Sequence, residues 1–133
     1  MHPTAPNIEL ASLSASHDIG LALEIPSVPS RDLTATNKLF EYLRCGLAVV
    51  ATSTRGQQEV MNQCPEAGWV VPPGKARALA AVLQRCLDNR DEVASAKIAA
   101  RQAAKDSWNW EHYSGQLATI IMRAANSEGI ISL

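Results

Sequence analysis

The sequence predicts an α/β fold, a small parallel sheet with helices on both faces. Three observations carry that reading. Short apolar runs alternate with segments of helical periodicity, in the order strand, helix, strand, helix, strand, then helices. The runs "DIGLALE", "LAVVATS" and "GWVV" are nearly uninterrupted rather than alternating with polar residues, as in strands covered on both faces. Strand–helix–strand order requires right-handed crossovers, which lay the strands parallel. A chain of 133 residues suits one domain able to bury its core without disulfides or metal.

A loose start with Pro3 and Pro6 leads to "NIELASLSAS", where Ile8, Leu10 and Leu13 make a weak helical pattern. Asp18 to Glu24 is the first predicted strand. "IPSVPSRDLTA" holds Pro26 and Pro29 and is expected to have no regular structure. Thr36 or Asn37 can cap the next helix, whose buried stripe is Leu39, Phe40 and Leu43 and whose left-handed C-terminal residue is Gly46. "LAVVATS" is the second strand, "RGQQEVMNQC" a short helix, and "GWVVPPG" a third strand stopped by Pro72 and Pro73. From Lys75, the residues Leu79, Val82, Leu83, Cys86 and Leu87 fall at helical spacing, with Asn89 near the end. Further helices are expected from Glu92 to Asp106 and from "SWNWEHY" to Ser127.

Composition excludes several classes. Hydrophobic residues at 47% and charged residues at 19% are those of a globular chain, not of a disordered or fibrous one. A formal net charge of -1 gives no reason to expect nucleic acid as a partner. Cys45, Cys64 and Cys86 are widely spaced, with no histidine at ligand spacing, which reads as a reduced, cytoplasmic chain. No apolar run reaches the length of a spanning helix, and the start lacks the basic-then-apolar order of a signal peptide. His2, His17 and His112 have no partners at metal or triad spacing, and His17 reads as a helix-end or turn residue. Ser30 and Ser53 lack a G-x-S-x-G context, and neither G-x-G-x-x-G nor a Walker A loop occurs. Trp69, Trp108 and Trp110 read as core or interface residues.

In a parallel sheet, ligands bind at the carboxyl ends of the strands, beside the starts of the following helices, where free N–H groups and the helix dipole favour anions. The polar segments Ser27 to Lys38, Thr52 to Gln58 and Pro72 to Lys75 fall at those places. Lys38 can reach an anion held at the amides of Thr36 to Lys38. Glu41 lies one turn on, at i, i+3 from Lys38. A carboxylate there could accept two hydrogen bonds from a vicinal diol such as that of a ribose. The same spacing also suits a plain solvated Lys38–Glu41 pair. On spacing alone both readings stand.

"NKLFEYLRCGLAVVATSTRGQQEV", followed by "GWVVPPGKARALAAVLQRCLDN" and "SWNWE", resembles the C-terminal donor-binding domain of the group 1 glycosyltransferases of GT-B fold. That family has a Glu-x7-Glu element on a helix closed by glycine, a "PVVA" strand, a "GG..E" turn, a "G.LV.PGD" strand and turn, and a helix rich in alanine and leucine. The resemblance runs from Asp18 to Glu111 and implies a partial Rossmann-like domain of three layers. By it, Glu41 matches the second glutamate, which binds the nucleotide ribose. The first glutamate falls on Leu33, a departure. Asp32 lies one residue off register and is either a substitute contact to the donor sugar or a solvated loop residue. The Asn-Lys pair is similar to that of a subset of the family, so Asn37 and Lys38, with Thr36, are expected at the diphosphate. Gly56 and Glu59 match the "GG..E" turn, with a structural role expected. Trp110 and Glu111 resemble the "SW" element, where the family's chain turns back toward its other domain.

The resemblance further implies that residues 1–133 form a single partial domain, holding the last three strands of the family's sheet, with a terminal helix over 108–133. The N-terminal acceptor domain and the cations that neutralise the leaving diphosphate would be missing. A nucleotide-sugar is the implied partner and donor substrate. No cofactor, no metal and no catalytic residue is expected in this part, which should not catalyse transfer alone. The parent enzyme would move a sugar from the donor to an acceptor in surface polysaccharide or glycolipid synthesis, as a cytoplasmic protein peripheral at the inner face of the membrane. A second class of reading is a stand-alone α/β association module that binds no nucleotide. Under both readings the open sheet edge and neighbouring helices favour a homo-oligomer.

Overall fold

The run "AVVAT" becomes a strand with no exposed residue, Ala48–Thr52. Its apolar side chains can leave water only if both faces are covered, and its backbone groups can be satisfied only if both edges are paired. In the computed structural model, which describes residues 7–127, the rest of the chain meets those demands. The elements are α1 (Asn7–Ala15), β1 (Ile19–Ala22), α2 (Pro29–Leu33), α3 (Asn37–Cys45), β2 (Ala48–Thr52), α4 (Arg55–Gln63), a 3-10 turn (Pro65–Ala67), β3 (Gly68–Val71), α5 (Ala76–Asp88), α6 (Arg90–Asp106) and α7 (Trp110–Ser127). The loose start around Pro3 and Pro6, His2 and residues 128–133 lie outside the described residues.

The sheet order is β1-β2-β3, all parallel. Ile19 to Ala22 pair with Ala48 to Ala51, and Gly68 to Val71 pair with Val49 to Thr52. Alternate residues of β2 point to opposite layers. Val49 and Ala51 join a core with Leu39 and Leu43 of α3, Val60 and Met61 of α4, and Ala100 and Ala104 of α6. Ala48 joins a second core with Cys86 of α5 and Val93 and Ala96 of α6. Fully burying each of the larger aliphatic side chains contributes roughly 1.5–3 kcal/mol. The α/β class with helices on both faces of three parallel strands is therefore what the chain forms.

Several details differ from the sequence reading. The segment with Pro26 and Pro29 is not wholly irregular. Pro29 opens the short helix α2, at a position whose N–H has no intrahelical partner to lose. The first strand is shorter than Asp18 to Glu24, and it is not buried on both faces, since Leu21 and Leu23 are 40% and 37% exposed. β1 is an edge, and α5 and α6 cover the second face chiefly over β2 and β3. The helix expected from Glu92 starts at Arg90, because Asn89 caps it by accepting the Glu92 N–H at 3.1 Å. Leu87 of the expected stripe on α5 is exposed, as is Trp110. Trp69 and Trp108 do pack against the two cores.

Gly46 and Gly56 are among the glycines that geometry requires. Gly46 ends α3 in the left-handed region at φ 71°, donating its N–H to Leu43. Gly56 lets α4 approach the 33–35 segment, since a Cβ there would lie 2.4 Å from the Thr34 carbonyl carbon and 2.5 Å from the Leu33 oxygen. That close approach is the structural role expected for Gly56, whereas Glu59 is exposed on α4. Gly56→Ala is expected to destabilise the chain by about 1–3 kcal/mol, the range of overpacking against backbone that must shift. Urea unfolding measures it, and an unchanged midpoint would mean that the 33–35 segment does not rest on α4.

Candidate functional site

The carboxyl ends of β1 and β2 and the starts of α3 and α4 meet at one end of the sheet. Their positions are set by the end of the central strand. Thr52 Oγ1 accepts the Glu24 N–H and donates to the Glu24 carbonyl, both at 2.8 Å. Gln57, fully buried, donates through Nε2 to the Ala22 carbonyl at 3.1 Å and to Thr52 Oγ1 at 3.0 Å. These bonds carry β1 two residues past its ladder and fix Glu24 at the strand end.

At α3, Thr36 takes the N-cap position with extended backbone, but its side chain makes no capping bond, and its hydroxyl is buried without a partner among the described residues. The first amides of the helix are therefore not taken by a capping oxygen, which is the condition for accepting an external anion. Asn37 and Lys38 follow in the first turn, both exposed. Lys38 does not pair with Glu41, as the solvated-pair reading would have it. Its Nζ lies 3.4 Å from Glu24 Oε1, and Arg31 approaches the other oxygen of Glu24 at 3.7 Å. Glu24 was not singled out from sequence; its place directly after an apolar strand was the available signal.

Glu41 is held by its own helix. Arg44 donates to both carboxylate oxygens, at 2.8 and 3.0 Å from Nη2 and 3.2 Å from Nε, and the Cys45 thiol adds a contact at 3.5 Å. The Arg44 bonds hold the Glu41 carboxyl below its usual range, against a smaller opposing effect of burial. Glu41 is thus ionised, oriented and acceptor-only, which is what a diol donor needs. Burial and the neighbouring Glu41 push the Cys45 thiol up, so it remains a thiol. A cleft of about 470 Å³ lies beside Glu41, lined by Asn37, Lys38, Tyr42 and Arg44 of α3 and by Leu10 and Ser14 of α1.

Asp32 is neither a free loop aspartate nor turned toward this cleft. Its carboxylate accepts the Arg55 backbone N–H at 3.1 Å and Arg55 Nε at 2.7 Å, so it caps α4 from another element. Leu33, at the position of the family's first glutamate, is 63% exposed. His17 sits at the end of α1, its Nδ1 2.9 Å from the Leu13 carbonyl oxygen. A second, more apolar cleft of about 260 Å³ opens beyond the strand ends, between Leu23, Ile25, Val71 and Leu79, with Lys75 at its rim. Among the described residues, no helix is long and apolar enough to cross a membrane.

A family model described as glycosyl transferases group 1 matches residues 9–89, more than half of the chain. The chain belongs to the group 1 glycosyl transferases. The amylovoran biosynthesis glycosyltransferase AmsK of Erwinia amylovora is 34% identical to this group 1 chain over 87 residues, 65% of the chain and 21% of that protein. The sucrose-phosphate synthase (tll1590) from Thermosynechococcus elongatus superposes with a TM-score of 0.74 at 24% identity, over 89% of this chain and 28% of that one. That likeness shows the Rossmann-like fold. The chain thus spans between a fifth and a third of the relatives it matches.

Since Arg44 depresses the pKa of Glu41 in the folded state, the ionised pair stabilises the fold above the ordinary glutamate value of 4.5 and that contribution is lost as pH falls through the folded value. Glu41→Gln is expected to cost up to about 1 kcal/mol at neutral pH, as for a partly exposed pair. The gap to wild type should close as pH falls below the ordinary glutamate range. Urea midpoints at neutral and acid pH test this, and an equal gap at both contradicts it.

Proposed function

We propose that this chain is the donor-binding portion of a glycosyltransferase that moves a sugar from a nucleoside-diphosphate donor to an acceptor, in surface polysaccharide or glycolipid assembly. The observation that carries the reading is the start of α3. It combines amides not taken by a capping oxygen, Lys38 in the first turn and an ionised Glu41 one turn on, at the carboxyl end of a parallel sheet in a group 1 chain. In this reading the ribose diol donates to Glu41, while the amides of Thr36 to Lys38, the Asn37 side chain and Lys38 Nζ meet the diphosphate. The positive end of α3 offsets phosphate charge as it grows on the leaving group, so no metal or cofactor is required of this part. Asp32, engaged at α4, is not a sugar contact here. An N-terminal domain of the longer enzyme supplies the acceptor site, and the enzyme works in the cytoplasm at the inner face of the membrane.

The test is an amide NMR titration with UDP and with GDP, on wild type and Glu41→Ala. Saturable shifts at residues 36–41 are expected, with affinity falling about tenfold in the variant, the scale of hydrogen bonds to a charged acceptor. Absence of shifts at millimolar nucleotide would overturn the reading.

Self-association is supported by a separate observation. β1 is an outer strand of the sheet, and Leu21 on it and Leu23 and Ile25 just past its end are exposed. A concentration series in sedimentation velocity is expected to give a dimer, and a monomer throughout the series would remove this proposal.

A further inference from the structure

Glu41 stands midway between two cations of its own helix, Lys38 one turn before it and Arg44 one turn after it. Both spacings bring side chains together on a helix, so the carboxylate has a choice of partner. The choice matters at this site. Paired with Lys38, Glu41 would occupy the ammonium that a phosphate needs, and both groups would be lost to a ligand. Paired with Arg44, it leaves Lys38 out of the exchange.

The structure holds the second pairing. Arg44 forks onto the carboxylate, with Nη2 at 2.8 and 3.0 Å from its two oxygens and Nε at 3.2 Å from one. A planar guanidinium fixes the orientation of a carboxylate, which an ammonium on a flexible stem does not. The place of each cation adds to the preference. Arg44 lies in the last turn of α3, where the helix dipole favours positive charge, and Lys38 in the first turn, where it does not. Lys38 turns instead to Glu24, at the longer distance of 3.4 Å. The Lys38 and Arg44 side chains are 61% and 63% exposed, so packing fixes neither, and the carboxylate decides which pair forms. On its far side Arg44 borders a second cleft, of about 500 Å³, where Glu111 shares the walls with Arg101 and Lys105. The carboxylate there has cations of its own for neighbours.

We propose that Arg44 is a positioning residue for donor recognition: by holding Glu41 it keeps the ribose acceptor and the phosphate cation, Lys38, from neutralising each other. The inference rests on the donor-binding reading and deepens it, naming a residue that acts through Glu41 rather than on the donor. Without the guanidinium, Glu41 turns back one turn to Lys38. The diol then loses its acceptor and the diphosphate its cation in one movement. Preference for the ribose hydroxyls and affinity for phosphate are thus set together by a side chain at the other end of the helix.

Isothermal titration with UDP and GDP, and with the 2′,3′-dideoxy form of each, tests this on wild type, Arg44→Met and Arg44→Lys. Wild type is expected to prefer the ribose form about tenfold, the scale of hydrogen bonds to a charged acceptor. Arg44→Met should bind the ribose form about tenfold more weakly and lose most of that preference. Arg44→Lys keeps a cation at the same spacing without the fork and should fall between the two. The carboxyl carbon NMR signal of Glu41 reports the pairing without nucleotide. Lys38→Met should leave that signal in place in wild type and move it in the Arg44→Met background, where the two side chains have paired. Urea midpoints verify that each variant is folded. An Arg44→Met chain that keeps both affinity and ribose preference overturns the proposal and leaves the donor reading. Equal weakening of the ribose and dideoxy forms, or a Glu41 signal indifferent to Lys38 in both backgrounds, makes Arg44 a structural residue only and overturns it too. No binding of either diphosphate by wild type removes the donor reading and this role with it.

Discussion

Everything in this molecule is arranged around one strand that has no contact with water. β2 presents Val49 and Ala51 to one layer and Ala48 to the other, and Thr52 closes it with a polar end. Five buried residues of parallel strand demand two neighbouring strands and two covering layers, and those demands dictate the crossovers. The site is a by-product of the same constraint. Because β2 runs out at Thr52, its hydroxyl serves the Glu24 backbone in place of the ladder. Gln57 then fills the corner between β1, β2 and α4. The polar side chains at the mouth of the sheet stand on that corner.

The charged side chains at this mouth are paired with one another. Arg31 and Lys38 face Glu24, Arg55 faces Asp32, and Arg44 faces Glu41. The pairs are partly exposed, so each contributes little to stability. Their value lies in orientation: Glu41 is kept ionised by Arg44, and the cations are kept near the helix starts rather than spread through solvent.

Much of the architecture was legible in the sequence because it depends on local rules. Uninterrupted apolar runs gave the strands, and the spacing of Leu39 and Leu43 with Gly46 behind them gave α3. Two kinds of error have physical causes. A proline read as a breaker at position 29 is instead a helix opener, a distinction that depends on whether the preceding residue is extended, as Val28 is. The burial of β1 was overestimated because an apolar run does not state whether a strand is central or at an edge. Asn37, Lys38 and Glu41 were legible as residues of a helix start, where α3 has them, but their side-chain partners were not. The Lys38–Glu24 and Asp32–Arg55 contacts join residues 14 and 23 positions apart, and no periodicity encodes such a pairing. The comparisons named the family without bearing on those contacts.

α6 is the helix that touches both cores, with Val93 and Ala96 in one and Ala100 and Ala104 in the other. It follows the family-matched segment, which ends at residue 89. Its small alanines let it lie close against β2 and the 3-10 turn, both well before it in the chain. During synthesis the strands and their crossovers therefore leave the ribosome before the helix that closes both layers exists. Closing both layers thus depends on contacts distant in sequence, the kind of topology that slows folding.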